Sequence, residues 1–486
     1  MYGIQIMATA RRLHGRQIGQ SRVLRPLIAI VIALWPLPAA AQTATGDQTP
    51  TPAGLWERSN LLGDIGGLRP VLQNVGLTFN LQEISEILGN ATGGIHTGAD
   101  YDGLTTASLS LDTDKAFQWS GGTFDVSALQ IHGRDLSTDN LATLQTASGI
   151  EASRTTRLWE LWYQQAFFDS KADIKLGQQS VDQEFIGSQY AGLFVNTMMG
   201  WPMLPSANLF AGGPAYPLSS PGARVRARPS DALTVLAGVF DDNPPGGPFN
   251  DDPQLRGAEA SGTKFNLGGG ALWLGELQYA ANATPAKDCG NLGCGLPGTY
   301  KLGGWYDSGS FLDQRFDTNG VSLASPASNG LARRYRGNFS IYGIIDQMVW
   351  RQPDGPRSVG VFVRAMGAPA DRNLIDASLN AGVSLKAPLA GRDNDTFSIG
   401  YGWAHVSGRA SALDQDTARV TGTAFPVRSA EHFIEVTYQY QLAPWWQLQP
   451  DFQYVINPGG GIQNPQHTSQ IVGDEAVFGL RTTITF

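Results

Sequence analysis

Three arginines and three glutamates have the residue types and spacing to bind an uncharged polyol. Arg224, Arg226 and Arg228 alternate with small or apolar residues, so on an extended strand their guanidinium groups point to one side. Guanidinium groups donate hydrogen bonds and carboxylates accept them, whereas the hydroxyl groups of a polyol do both. The arginines therefore predict a polar, solute-contacting surface if acidic partners lie nearby.

The acidic partners are predicted on other segments of the chain. Glu160, Glu276 and Glu435 occupy the polar parity of their own alternating segments, and Trp162 shares the parity of Glu160. An aromatic face can cover the C–H surface of a polyol. We therefore predict that these residues line a pore and contact solute. The alternative is that the charges only solvate the wall or brace it by pairing.

Motifs for enzymatic or metal chemistry are not found in the sequence. It contains no HExxH, P-loop or GxSxG pattern. After residue 41, its histidines lack the spacing of metal ligands and are widely scattered, at His96, His132, His405, His432 and His467. We expect no enzyme, metal or cofactor, although a nucleophile and base brought together by folding stay possible.

The C-terminal segment has the strongest strand pattern in the chain. Phe478, Leu480, Ile484 and the terminal Phe486 share one parity, whereas Arg481 and its polar neighbours share the other. A strand places alternate side chains on opposite faces, so one face is apolar and the other polar. The terminal aromatic residue also resembles the signal by which outer-membrane barrels are recognised by their assembly machinery.

Earlier segments repeat this alternation and favour a transmembrane β-barrel. Residues 432–441 and 446–456 form a predicted hairpin with aromatic and aliphatic residues on one face and Gln, Glu and Asp on the other. Amide and carboxylate groups suit a water-filled lumen, whereas aromatic residues near a turn suit a membrane interface. Lipid offers no partners to an open sheet edge, so the sheet must close. Roughly 14 to 18 strand candidates are present, and 16 to 18 strands leave an aqueous channel.

Composition supports one large all-β unit. The 59 glycines, 28 prolines and 47 aromatic residues are typical of a chain punctuated by turns. No linker divides the sequence into domains. The formal net charge of −8 makes nucleic-acid binding unlikely, because phosphate contacts need clustered Lys and Arg.

The N-terminal 41 residues have the pattern of a secretory signal peptide. Five arginines precede the apolar run 26–37, and a small-residue cleavage site ends at Ala41. The run is shorter than the ~20 residues that a membrane-spanning helix needs. We predict a signal peptide at 1–41, a linker at 42–55 and a barrel at 56–486.

Two further segments carry structural predictions. Cys289 and Cys294 lie in a Gly- and Pro-rich stretch, and an exported chain favours a local disulfide between them. Residues 185–216 lack clean alternation and are unusually apolar for an exposed loop. By resemblance to porins generally, this loop folds inward and narrows the pore. A plain extracellular loop, packed against its neighbours, is the competing interpretation.

Six segments, in order, resemble the carbohydrate-selective porins of the OprB family. They are residues 62–69 (LGDIGGLR), 119–124 (WSGGTF), 157–162 (RLWELW), 296–307 (LPGTYKLGGWYD), 346–351 (DQMVWR) and 448–460 (LQPDFQYVINPGG). Ile65 departs from the tryptophan usual in the first segment. The resemblance implies a closed antiparallel barrel of 16 strands, a short periplasmic helix before the first strand and a homotrimer in outer-membrane lipid.

The leading hypothesis is passive diffusion of glucose and related small sugars through a constricted pore. The resemblance implies this function. Alternation alone does not separate it from a general diffusion porin without a sugar site. A surface-attached carbohydrate-binding β protein is a third class, with a barrel enzyme behind it.

Overall fold

The computed structural model describes residues 54–246, 260–282, 295–422 and 425–486. The predicted signal peptide and both cysteines lie outside the described residues. No described helix has the length and hydropathy to cross a membrane.

Sixteen strands form one closed antiparallel barrel, as predicted. In chain order they are β1 (Leu77–Thr92), β2 (Gly98–Asp112), β3 (Gly122–Gly133), β4 (Thr155–Phe167), β5 (Ala172–Gln179), β6 (Ser220–Ala227), β7 (Leu233–Asp241), β8 (Ala271–Ala281), β9 (Gly298–Asp317), β10 (Ala332–Arg351), β11 (Ser358–Gly367), β12 (Ile375–Lys386), β13 (Thr396–Val406), β14 (Ala430–Ala443), β15 (Trp446–Ile456) and β16 (Glu475–Thr485). Each strand pairs with its neighbours in sequence, and β16 closes the sheet against β1.

The α-helices are short and belong to the segments that precede or connect the strands. They are α1 (Leu68–Asn74), α2 (Thr113–Phe117), α3 (Thr197–Gly200), α4 (Met203–Asn208) and α5 (Gly408–Thr421). The predicted short helix before the first strand is α1. Arg69 of this helix donates to the carbonyl of Phe79 at 3.0 Å and to the terminal carbonyl of Phe486, so it ties β1 to the C-terminus.

Alternation sets the two faces of the wall as the sequence predicts. On β16, Phe478 and Leu480 are about half exposed on the outer face, whereas Val477 and Arg481 point inward. The two ends of the barrel differ: most connections at one end are short turns, and the longest loops, such as 180–219, lie at the other. In outer-membrane barrels the short turns face the periplasm.

One predicted face is wrong, because β4 contains a bulge. Trp159 and Glu160 together oppose the single residue Ser127 of β3, and the register shifts there. In the sequence, residues 159–164 alternate so that Trp159 is predicted to face outward with Leu161. Trp159 instead packs edge-on against Tyr216 inside the barrel. A bulge moves later side chains to the other face, and a parity argument from sequence does not detect it.

The hydrophobic core lies inside the barrel, between the wall and loop 180–219, which joins β5 to β6. Phe185, Phe194 and Met199 of this loop are buried against apolar wall residues such as Phe362 and Phe433. The apolar segment 185–216 therefore folds inward, and the alternative of a plain extracellular loop packed against its neighbours is excluded. Loop 134–154, between β3 and β4, also packs inside, against β1, β2, β3 and β16.

Candidate functional site

Inward-pointing carboxylates of the wall hold the backbone of loop 180–219. Glu276 of β8 accepts from the N–H of Ile186 at 2.9 Å. Glu435 of β14 accepts from the N–H groups of Val195 and Asn196 at 2.5 and 3.3 Å. Charge-assisted bonds of this kind are the strong ones. These two glutamates therefore anchor the loop across the barrel.

Two further carboxylates repeat the arrangement. Asp346 of β10 accepts from the hydroxyl of Ser188 at 2.6 Å and the N–H of Gln189 at 3.2 Å. Glu160 of β4 accepts from the N–H of Ser180 at 2.9 Å. The loop is thus held from four strands, β4, β8, β10 and β14, by carboxylates that bind its backbone.

Arg364 of β11 holds the same loop by its carbonyl groups. Its guanidinium donates to Ile186 at 3.1 Å, Met198 at 2.5 Å, Met199 at 3.0 Å and Gly200 at 3.0 Å. The side chain is fully buried. A planar fork with five donors suits a site where several carbonyl oxygens converge.

Loop 134–154 is anchored similarly. Glu431 of β14 accepts from the N–H groups of Leu144 and Gln145, both at 2.7 Å.

Within the loop, burial raises the pKa of Asp135 to about 6, and the nearby Asp139 adds to this shift. Both loops therefore pack inside the barrel.

A charged network on β5 and β6 borders the open part of the lumen. Arg224 pairs with Asp173 and, at 2.7 Å, with Glu184 of the inward loop. Arg226 pairs with Asp173 at 2.7 Å, and Lys175 pairs with Glu184 at 3.0 Å. Burial alone would raise the pKa of Glu184, but the cations Lys175 and Arg224 lower this pKa below its ordinary value. Three cations thus share two carboxylates, so this surface is not purely positive.

Three partly exposed side chains are connected through this network. Arg226 and Glu184 are 26% and 20% exposed. Trp162 of β4 is partly exposed, and the Lys175 ammonium lies 4.2 Å from its ring centroid. A forked donor, an acceptor and an aromatic surface are therefore linked to one another by the ion pairs of Asp173, Arg224 and Lys175.

The structure places the predicted site residues in three groups. Arg226 and Trp162 border the lumen, with the buried Arg224 behind them as part of the same network. Arg228 corrects the predicted arginine row, because β6 ends at Ala227 and Arg228 is exposed in the turn beyond it.

The third group comprises the three glutamates. Glu160, Glu276 and Glu435 point inward, but the loop covers them, and their side chains are almost inaccessible. They therefore brace the loop instead of lining open lumen, which is a correction to the predicted pore lining. The fold of residues 180–219 determines which inward-facing side chains are covered, and strand parity does not predict that fold.

Sequence reasoning missed the acidic and basic partners in the network. Asp173 and Lys175 alternate with Ile174 and Leu176 on β5, so the same parity argument would have found them. Glu184 lies in the irregular loop and carries no periodic signal.

The closed barrel of 16 strands, its apolar outer face and its narrowed polar lumen define a channel of the porin class in the outer membrane. A family model described as "Carbohydrate-selective porin, OprB family" matches residues 96–486. The chain belongs to this family of carbohydrate-selective porins.

Relatives and a solved structure agree with this assignment. Porin B of Pseudomonas aeruginosa is 24% identical over 420 residues, covering 82% of this chain and 87% of that protein. Putative porin QuiX of Acinetobacter baylyi is 23% identical over 466 residues, covering 91% of this chain and 97% of that protein. The high-pH structure of Pseudomonas putida OprB matches the fold with a TM-score of 0.76 at 22% identity, covering 89% of this chain and all of that one.

Proposed function

We propose that this porin admits glucose and related monosaccharides by passive diffusion. The proposal rests on one observation: Arg226, Glu184 and Trp162, a donor, an acceptor and an aromatic face, are partly exposed members of one inward-facing network. Glucose offers hydroxyl groups to the first two and a C–H surface to the third. Weak contacts suit a channel, because a tightly held solute does not leave.

The charges of this surface are paired before any solute arrives. Asp173 holds Arg226, and Lys175 with Arg224 holds Glu184, so each polar group is fixed in place. A neutral solute exchanges hydrogen bonds with such groups without having to compensate a full charge. An anionic or cationic solute would compete with the existing ion pairs. This arrangement favours neutral polyols.

The test is the current through single channels in a planar bilayer, with and without glucose. We expect glucose to reduce the current through the wild-type channel and Arg226→Ala to weaken this block several-fold. Arg372→Ala is the matched control, because Arg372 pairs with Asp371 in the loop between β11 and β12. If glucose leaves the current through the wild-type channel unchanged, the protein is a general diffusion porin instead.

We further propose that the channel is a homotrimer, which the resemblance of the chain to the carbohydrate-selective porins implies. Analytical ultracentrifugation of the detergent-solubilised protein measures this directly. We also propose that residues 1–41 are a signal peptide through which the chain is exported.

A further inference from the structure

Three aromatic side chains form a row on the outer wall, toward the loop end of the barrel. Trp273 of β8, Tyr306 of β9 and Phe339 of β10 are directly opposed across the sheet and are each about half exposed. Aromatic residues of this kind lie where the apolar band of an outer-membrane barrel meets the lipid headgroups. The row therefore marks the edge of the apolar band on the loop side.

The other edge of the band lies near the turn end of β10. Trp350 opposes the outward-facing Val359 there and is 45% exposed. Phe339 and Trp350 are eleven residues apart, which at ~3.3 Å per residue and a tilt of ~40° is about 28 Å of height. The apolar band of an outer-membrane barrel is about 25 Å tall. Phe339 and Trp350 thus bound the band on this strand.

Beyond the aromatic row, a bulge turns two arginines of β10 outward. The register between β9 and β10 shifts between Arg336 and Asn338. Gly337, which lies between them, has a φ of 81°, in the left-handed region that favours glycine. Without this bulge, Arg334 and Arg336 would share the inward parity of Asn338. With it, they lie on the same face as Phe339.

The contacts of the residue between the two arginines confirm this orientation. Tyr335 opposes Phe311 of β9, and the ring of Phe311 stacks on Phe210 of loop 180–219 inside the barrel. Tyr335 therefore belongs to the inner face. Arg334 and Arg336, on either side of it, point to the outer face, where both side chains are exposed.

The charge of Arg336 is not compensated by the residues that the structure describes. Its guanidinium forms no hydrogen bond or ion pair with any of them. Arg336 stands opposite Ser310 of β9, and Arg334 stands opposite Leu312, so neither opposed side chain adds negative charge. Asp313, the next residue of β9, is buried on the inner face, where it accepts from a tyrosine hydroxyl. The outer face at this height is therefore positively charged.

We propose that Arg336, with Arg334 beside it, binds a phosphate group of a lipid in the membrane leaflet on the loop side. Three residues separate Arg336 from Phe339, which is about 10 Å of extended strand and about 8 Å of height. The headgroup layer next to the apolar band is about 5–8 Å thick. Arg336 thus stands at the depth of the headgroups, where a guanidinium fork matches phosphate oxygens.

A lipid satisfies both parts of this surface. Its phosphate would contact the arginines, and its acyl chains would cover the rings of Trp273 and Phe339. The Tyr306 hydroxyl lies beside Gly337, between the row and the arginines, so the change from apolar to polar contacts occurs there. Free phosphate would match only the arginines. The surface lies outside the lumen, so the inference is independent of the proposed sugar pathway.

The experiment measures how lipid A, a disaccharide lipid with two phosphate groups, binds the detergent-solubilised porin. Native mass spectrometry should show bound lipid A for the wild type. We expect binding to weaken several-fold in Arg336→Gln and more than tenfold when Arg334→Gln is added, whereas Arg336→Lys should keep most of it. Arg419→Gln is the control, because Arg419 is an exposed arginine of α5 that pairs with Asp416 and does not belong to the wall. Heat-modifiable migration checks that each barrel folds.

Two further probes identify the source of the phosphate. Dephosphorylated lipid A should bind the wild type as weakly as lipid A binds the double variant, and inorganic phosphate should not displace lipid A. Undiminished binding of lipid A by the folded double variant would exclude the two arginines. Displacement by inorganic phosphate would overturn the lipid in favour of the free anion. An equal loss in Arg419→Gln would reduce the effect to overall charge. Glucose block should be unchanged in every variant, so neither proposal depends on the other.

Discussion

Replacing Arg364 by methionine tests whether the inward loop sets the width of the pore. Arg364 is fully buried and donates to four loop carbonyl groups, which lose their charged donor in Arg364→Met. Methionine keeps a similar length, so little space opens in the wall. The neighbouring anchors Glu276 and Glu435 remain, and the loop should loosen without leaving the barrel.

The size of the effect follows from the carbonyl groups that lose their donor. Leaving a buried acceptor unsatisfied costs about 1–3 kcal/mol. At about 1.4 kcal/mol per factor of ten, each carbonyl group that stays unsatisfied lowers the ratio of docked to undocked loop by about 5- to 100-fold. Openings that are rare in the wild type then become frequent enough to appear in single-channel records.

Two assays measure this loosening. Single-channel current should become noisier and larger on average in Arg364→Met, and liposomes should admit a disaccharide faster. Arg357→Met is the control, because Arg357 also donates to backbone carbonyls, but those of Ala387 and Pro388, which lie between β12 and β13 and not in loop 180–219. Unchanged noise, conductance and disaccharide entry in folded Arg364→Met would refute the reasoning.

Three shorter predictions concern other parts of the chain. Because burial raises the pKa of Asp135 from 3.8 to about 6, the packing of its loop is strongest in acid and weakens as the pH rises between these two values. Conductance should therefore rise between about pH 4 and pH 6, and a rise of equal size in Asp135→Asn would contradict this. Phe486→Asp should lower the amount of heat-modifiable protein in the outer membrane, since it removes a sorting signal and an interfacial side chain; unchanged amounts would exclude that role. Mass spectrometry without reductant should find Cys289 linked to Cys294, and free thiols would count against the disulfide.

The sequence predicts the wall well because alternation is a local property. Phe478, Leu480 and Arg481 take the faces that their parity indicates, since neighbouring strands impose the same two-residue period on all sixteen. Trp159 escapes this argument, because a bulge depends on how two strands register and not on one strand alone.

The site is harder to predict because loop 180–219 decides which inward residues are open. Glu435 and Arg226 have the same parity status in their strands, yet the loop covers Glu435 and leaves Arg226 partly exposed. Glu184 meets Arg224 from a position 40 residues away, in a segment without periodicity. Contacts of this kind exist only once the loop is folded into the closed barrel.

The way the wall grips loop 180–219 has an evolutionary consequence. Glu276 and Glu435 bind N–H groups, and Arg364 binds carbonyl groups, so these anchors recognise main chain that every amino acid provides. Substitutions at lumen-facing positions of the loop leave those bonds intact. Point mutations in loop 180–219 can therefore change which solute the channel prefers while the bonds that hold the loop in the barrel are kept.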